Sequence, residues 1–157
     1  MEREILKINI KGKLVKKVNL ADISGNDRIL AKCIQVRRTD QTIFTADFEK
    51  KIIFHLDQNL TFLSSIDLSP NKEIEAIRSV CPFKDFLLLC VRGKNQLLKI
   101  SYDGEVMQKI DITSSTGLDW NNPTKIAILD SEDFCIADKE NDRIIALNFN
   151  GKSCSNT

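Results

Sequence analysis

The chain is 157 residues long, 42% of its residues are hydrophobic, and its 23 Lys and Arg nearly balance its 22 Asp and Glu. This length and apolar content suit one domain with its own hydrophobic core. The net charge of +1 argues against a protein that binds nucleic acid mainly by electrostatic attraction, because such domains are usually strongly basic. No apolar run reaches 18 residues and no charged-then-apolar leader opens the sequence, so we expect neither a membrane span nor secretion.

Short apolar runs separated by turn residues follow one another along the whole sequence, and many of them are rich in β-branched residues. This pattern predicts strands, and no stretch with a helical period is long enough to compete with it. The predicted strands are residues 4–10 and 13–20, then 29–36, 43–46, 52–56 and 61–68, then 74–80, 86–91, 96–100 and 106–112, and finally 125–129, 134–137 and 143–149.

A turn motif recurs through these strands with a nearly constant period. Its second residues are Gly12, Asn59, Gly104 and Gly151, which lie 47, 45 and 47 positions apart. A period of this size, filled with short strands, is typical of β-propeller blades. We therefore predict an all-β fold, a β-propeller segment of four-stranded antiparallel blades. The predicted units are a half blade at 4–20, whole blades at 29–68 and 74–112, and a three-strand blade at 122–152.

A propeller ring closes with roughly 4 to 8 blades, so the three to three and a half blades predicted here make an incomplete ring. Two interpretations stay open. The chain is a fragment of a longer propeller protein, or two copies form a homodimer that completes a six-bladed ring.

The five cysteines are an odd number, and no pair has the close spacing of a zinc site. Cys33, Cys90 and Cys135 lie inside apolar runs, where a free thiol behaves like a small buried hydrophobic group. We therefore expect no disulfide framework and no cofactor. A reducing, cytoplasmic location follows from the same reasoning.

The last predicted blade resembles an NHL repeat, a β-propeller repeat found in tripartite-motif proteins. The resemblance rests on Pro123 before the strand at 125–127, on Ala137 and Asp138, on residues 141–144, and on the closing turn at 150–152. The second unit keeps Ala46, Asp47 and Ile52, and the third keeps Asp103 and Gly104. In tripartite-motif ubiquitin ligases and related translational regulators, such propellers present one face of the ring to a protein or to single-stranded RNA.

The resemblance implies a binding face made of the turns between second and third strands, at 48–51, 92–95 and 139–142, with the links between blades. The candidate binding residues are Lys50, Lys51, Arg92, Lys94 and Lys139. Such cations suit phosphate contacts. Acidic residues in the same turns and a scarcity of aromatic side chains argue against single-stranded RNA. We expect Trp120, in the preceding link, to pack between blades.

Two residues of this hairpin have a structural explanation. The Asp138 carboxylate can accept backbone N–H groups across its turn. Arg143 can pair with a carboxylate or carbonyl of its neighbour and bridge two blades. We therefore expect both residues to stabilise the fold rather than to bind a ligand.

The sequence contains one histidine, His55, within the strand at 52–56. A zinc site needs several converging imidazole or thiolate ligands, and no nucleophile motif or phosphate-binding loop is present. We therefore predict a non-catalytic module for protein–protein interaction, in the setting of a ubiquitin-ligase-type protein that recruits substrates. Two alternatives stay open: single-stranded RNA binding, and a fragment of a metal-dependent propeller enzyme.

Overall fold

The computed structural model describes residues 4–25, 29–92, 96–111, 113, 117–129 and 133–148, and the strands in these residues form four antiparallel sheets. The first sheet pairs β1 (Glu4–Ile8) with β2 (Leu14–Asn19). The second contains β3 (Ala31–Val36), β4 (Ile43–Asp47), β5 (Ile52–Leu56) and β6 (Phe62–Asp67). The third contains β7 (Ile77–Pro82), β8 (Leu87–Val91), β9 (Gln96–Ile100) and β10 (Val106–Asp111). The fourth contains β11 (Pro123–Ile128), β12 (Asp133–Asp138) and β13 (Arg143–Asn148).

Strands within each sheet pair in chain order, so every sheet is an up-and-down meander. The predicted all-β fold of four-stranded antiparallel sheets is confirmed. β7 contacts β3 on one side and β11 on the other, which places the first strands of three successive sheets next to one another. This is the arrangement of propeller blades around an axis, with the first strand of each blade innermost.

Neighbouring blades are held together by apolar side chains from facing sheets. One core, which includes Phe44, Ile53 and Leu89, joins the second sheet to the third. Another, which includes Phe134 and Trp120, joins the third sheet to the fourth. Trp120 is only 3% exposed, so the prediction that it packs between blades is confirmed.

A short helix, α1 (Leu20–Ser24), follows β2 where the sequence pattern predicted the end of a strand and a link. The side chain of Asn19 caps its N-terminus, and Leu20 packs against Ile29 and Phe54. Five residues make little more than one turn, so no helical period could be read from the sequence here.

β7 begins and ends later than the strand predicted at 74–80. Residues 81 and 82 were predicted as a turn, but they belong to β7, where Pro82 pairs with Leu87. β7 has a sheet neighbour on one side only, and an edge strand tolerates proline because the missing N–H can face its open side. Pro123, at the start of β11, occupies the same kind of edge position.

The three innermost strands share one irregularity. Their pairing with the second strand of the blade shifts register between Ala31 and Cys33, between Ile77 and Ser79, and between Pro123 and Lys125. The residues left unpaired at these shifts are Lys32, Arg78 and Thr124, which follow one another at intervals of 46. A bulge changes the direction of the side chain of its extra residue. Because the bulge recurs at the same position of three blades, we expect these three side chains to be directed in the same way.

The described cysteines are all free. Cys33, Cys81 and Cys90 are buried and Cys135 is half-buried, while Cys154 lies outside the described residues. No helix among the described residues is long and apolar enough to cross a membrane.

Candidate ligand-binding face

The turns between second and third strands lie beside the links that enter each blade. In each blade the backbone N–H of a turn residue donates to a carbonyl oxygen of the preceding link. Phe48 donates to Leu30 at 3.0 Å and Arg92 donates to Ala76 at 2.9 Å. In the last blade, Glu140 N donates to the carbonyl oxygen of Asn121 at 3.2 Å. The turns and links of three blades therefore form one end of the segment, which we call the turn face.

Two buried carboxylates, those of Asp47 and Asp138, hold the turns of this face in place through hydrogen bonds. Asp138 is fully buried, and its Oδ1 accepts from the Asn121 N–H at 2.9 Å. Its Oδ2 accepts from Asn141 Nδ2 and from Arg143 Nε, each at 2.8 Å. Burial alone would raise the pKa of Asp138, but hydrogen bonds from Asn141, Asn121 and Arg143 outweigh burial and lower it. Asp138 therefore holds its hairpin to the preceding link, but the backbone N–H from which it accepts belongs to Asn121 in that link and not, as we predicted, to its own turn.

Asp47 occupies the same position in the second sheet and is 1% exposed. Its Oδ1 accepts from the backbone N–H groups of Glu49 and Lys50, at 2.9 and 2.8 Å. Its Oδ2 accepts from Leu30 N at 2.7 Å. One carboxylate thus closes the turn and fastens it to the entering link, as expected for a short acidic side chain at a turn.

We predicted that Arg143 bridges two blades, but among the described residues it contacts its own hairpin and the link that enters its blade. Its Nε pairs with Asp138 of its own hairpin, and its Nη2 donates to the backbone carbonyl of Asp119 in the preceding link, at 2.6 Å. The reason is register: Arg143 is the cross-strand partner of Asp138, so the nearest carboxylate belongs to its own blade.

The structure places four of the five predicted binding residues, and Lys94 lies outside the described residues. Lys50 is half-buried, and its Nζ is enclosed without a hydrogen-bond partner in the described part of the chain. Lys51 has a left-handed backbone with φ 61°, and its Nζ lies 3.5 Å from the Ser69 carbonyl oxygen. Arg92 and Lys139 are exposed. The Lys139 amine lies 3.4 Å from the carboxylate of Glu140.

Of these residues, Arg92 contacts a feature that sequence reasoning missed. Its guanidinium carbon lies 6.0 Å from the centre of the Phe48 ring, which is itself 8% exposed. Lys32 Nζ lies 4.2 Å from the same centre, and the Arg78 guanidinium carbon lies 5.9 Å from it. Two of these cations come from the bulges of β3 and β7, and the third comes from the turn after β8.

Beside Phe48 lies a cavity of about 300 Å³, which we call the axial cavity. Its lining comes from Lys32, Phe48, Arg78, Thr124 and Lys125. All three bulge positions therefore face it. The 46-residue spacing of these positions is visible in the sequence, but only the register shifts show that their side chains meet.

The axial cavity contains cations that its lining does not neutralise. Arg78 Nε is buried without a hydrogen-bond partner among the described residues, and Lys125 Nζ donates to the backbone carbonyl of Lys32 at 2.9 Å. Among the described residues, those that line the cavity include no carboxylate. Hydrogen bonds from Asn122 and Lys139 lower the pKa of Glu140, and the charge of Arg78 adds a smaller lowering.

His55 lies away from the turn face, near the turns that connect first to second strands. Its ring stacks on Phe44 at a centroid distance of 4.2 Å, and its Nδ1 is 3.3 Å from Ser64 Oγ. Burial, followed by the charge of Arg37, lowers the pKa of His55. In the described ranges, no group of three or more His, Cys, Asp or Glu side chains is placed to hold a metal ion.

No family model and no curated protein matches this sequence. Solved structures do match it. One is a protein of unknown function from Bacteroides caccae, with 14% identity and a TM-score of 0.66 over 94% of this chain and 51% of that one. A streptogramin B lyase matches with 14% identity and a TM-score of 0.67 over 95% and 46%. The WD40 domain of Neurospora crassa Pan2 matches with 11% identity and a TM-score of 0.52 over 82% and 37%.

The chain is a β-propeller segment. It spans about half the length of the first two of these structures. The matched proteins include a lyase and a WD40 domain, and their sequence identity to this chain is 11–14%. The likeness therefore establishes the fold alone. The resemblance of residues 122–152 to an NHL repeat stays a prediction.

Proposed function

We propose that this segment is a non-catalytic interaction module that binds an acidic stretch of a partner protein on its turn face. The convergence of cations from successive blades on Phe48 carries the proposal. Lys32, Arg78 and Arg92 all lie within 6.0 Å of that ring centre. A positive patch of this kind steers and selects a negatively charged partner.

A protein partner fits this face better than single-stranded RNA. RNA-binding surfaces of this kind rely on exposed aromatic rings that stack on bases. Phe48 and Trp120 are only 8% and 3% exposed, so neither presents a free ring.

The NHL resemblance gives this proposal a setting. In a ubiquitin-ligase-type protein of the tripartite-motif kind, the bound partner would be a substrate. RNA binding through Lys50, Lys51, Arg92, Lys94 and Lys139 is the second candidate, because these cations suit phosphate contacts.

The test is fluorescence anisotropy with two labelled probes, a 12-residue peptide rich in Glu and a 12-nucleotide oligouridylate. We expect the peptide to bind the wild-type chain. Charge reversal in the variant R92E/K139E should weaken peptide binding at least tenfold. The matched control is Lys13→Glu, in the β1–β2 turn, which should leave binding unchanged. If the peptide does not bind, or binds the variant equally well, the proposal is wrong. Tighter binding of the RNA, falling steeply with salt, would instead support the second candidate.

A further inference from the structure

The axial cavity is built differently from the rest of the turn face. Its cations come from the innermost strands: Lys32 and Arg78 stand at the bulges of β3 and β7, and Lys125 follows the bulge residue of β11. Lys32 and Arg78 lie over the Phe48 ring, a contact that orients a cation without neutralising it. The cavity therefore holds positive charge in fixed positions.

The charge of this cavity is not balanced by its surroundings. Lys32, Arg78 and Lys125 line it, and the described residues of its lining include no acidic side chain. The Asp47 and Asp138 carboxylates lie in the adjoining turns, where their oxygens accept hydrogen bonds from other groups. They keep their negative charge but are not part of the cavity lining. The three cations on the lining make the cavity electropositive, and a phosphate monoester, with a charge of about −1.5 to −2, is attracted to such a site.

The hydrogen-bond donors of the cavity also fit a phosphate monoester. Arg78 Nε is enclosed and lacks a hydrogen-bond acceptor among the described residues, and a guanidinium presents donors in the planar fork that binds phosphate oxygens. Lys32 and Lys125 add ammonium groups from the two flanking strands. A volume of about 300 Å³ lies at the lower end of ordinary ligand pockets, which hold about 300–1,000 Å³.

We propose that the axial cavity binds a phosphate monoester carried on a side chain of the partner protein, with Arg78 as its central ligand and Lys32 and Lys125 on either side. This inference rests on the proposed function for its partner, but the phosphate site itself can be tested without one. Free phosphate offers the same chemistry, so the experiment must distinguish the two sources.

The first measurement uses inorganic phosphate and the thermal unfolding of the whole chain, at constant ionic strength balanced with NaCl. Phosphate should raise the Tm of the wild type, because a ligand that binds only the folded state stabilises it. Arg78→Gln and Lys32→Gln should abolish the rise, and Lys13→Gln should keep it. Without phosphate, the two cavity variants should melt close to the wild type, because the repulsion that each removes offsets the cation–π contact that it loses. An equal rise of Tm in the wild type and all variants would overturn the proposal of a phosphate site.

The second measurement compares three peptides that are identical except for one central residue, which is phosphoserine, Glu or Ser. We expect the phosphoserine peptide to bind at least tenfold tighter than the Ser peptide, and Arg78→Gln to remove that advantage. Equal binding of the phosphoserine and Glu peptides would overturn the phosphate site and leave the acidic-partner function standing. Stabilisation by inorganic phosphate without preference for phosphoserine would support the cavity as a phosphate site and overturn its assignment to a partner protein.

Discussion

Lys125 Nζ donates a hydrogen bond to the backbone carbonyl oxygen of Lys32, 2.9 Å away, across 93 positions of sequence. The two residues belong to β11 and β3, the innermost strands of blades that have β7 between them. Gln35 Nε2 makes a second such contact, to the Ile126 carbonyl oxygen at 3.4 Å. These bonds join β3 to β11 and bring Lys32 and Lys125 together at the axial cavity.

The turn around Gly104 tests how closely the second and third blades pack. Gly104 has φ 91°, and a Cβ there would lie 2.9 Å from Ile66 Cγ2 and 3.3 Å from Leu68 Cδ2. Gly104→Ala should therefore combine backbone strain with a clash and destabilise the fold by about 2–4 kcal/mol. Gly12→Ala is the matched control, because Gly12 has φ 76° with nothing within 4 Å, and it should cost about 1 kcal/mol. Urea denaturation measures both, and equal losses would contradict the close contact.

The pairing of Asp138 with Arg143 should show up as an energetic coupling. Arg143→Gln removes one partner of a fully buried carboxylate, and we expect a loss of about 1–3 kcal/mol. Asp138→Asn should cost a similar amount, because its new amide donors would face those of Asn141 and Arg143. In a double-mutant cycle the two losses should not add. Additive losses would mean that the ion pair contributes nothing of its own.

The depressed pKa of Asp138 predicts a pH dependence. A carboxyl with a lower pKa in the folded state stabilises the fold above its unfolded value, 3.8, and this contribution is lost as pH falls through the folded pKa. Wild-type stability should therefore decline below about pH 4. Asp138→Asn should decline less steeply, since it has no proton to take up at this site. Thermal melts from pH 7 to pH 2.5 make the comparison, and parallel curves would be inconsistent with it.

The buried thiols should be unreactive in the folded chain. Burial raises the pKa of Cys81 and of Cys90 to about 12 and also raises that of Cys33, so little thiolate forms at pH 8. In a variant with Cys135 and Cys154 replaced by Ser, we expect almost no reaction with Ellman's reagent until denaturant is added. Rapid reaction of three thiols in native buffer would contradict the packing of the inner strands.

Apolar side chains exposed on the first sheet predict self-association. Ile8 is 62% exposed and Leu14, its partner across the hairpin, is 51% exposed. We expect the mass from light scattering to rise above 17.8 kDa over a tenfold concentration range, and Ile8→Glu to suppress the rise. Lys13→Glu is the control, because Lys13 is exposed in the same hairpin and the change removes no apolar side chain. A stable mass of twice the monomer would favour a homodimeric ring, and a concentration-independent monomer would contradict the prediction.

The sequence by itself determined the strands, their order within each blade and the repeat. These depend on local chemistry: alternating apolar residues, turn residues such as Gly12 and Gly104, and a short carboxylate at Asp47 that closes its own turn. Each is decided by residues close in sequence, so a linear pattern contains the information. The same locality explains the errors, since the five residues of α1 and the strand position of Pro82 are too short or too context-dependent to leave a pattern.

Only the tertiary structure decided which side chains meet. The sequence pointed to the turn lysines, whereas the structure brings Lys32, Arg78 and Lys125 to one cavity. Their convergence depends on register shifts in three strands and on contacts between residues about 46 or 93 positions apart. Such contacts arise from the packing of whole blades against one another, a property that no single segment of the chain encodes.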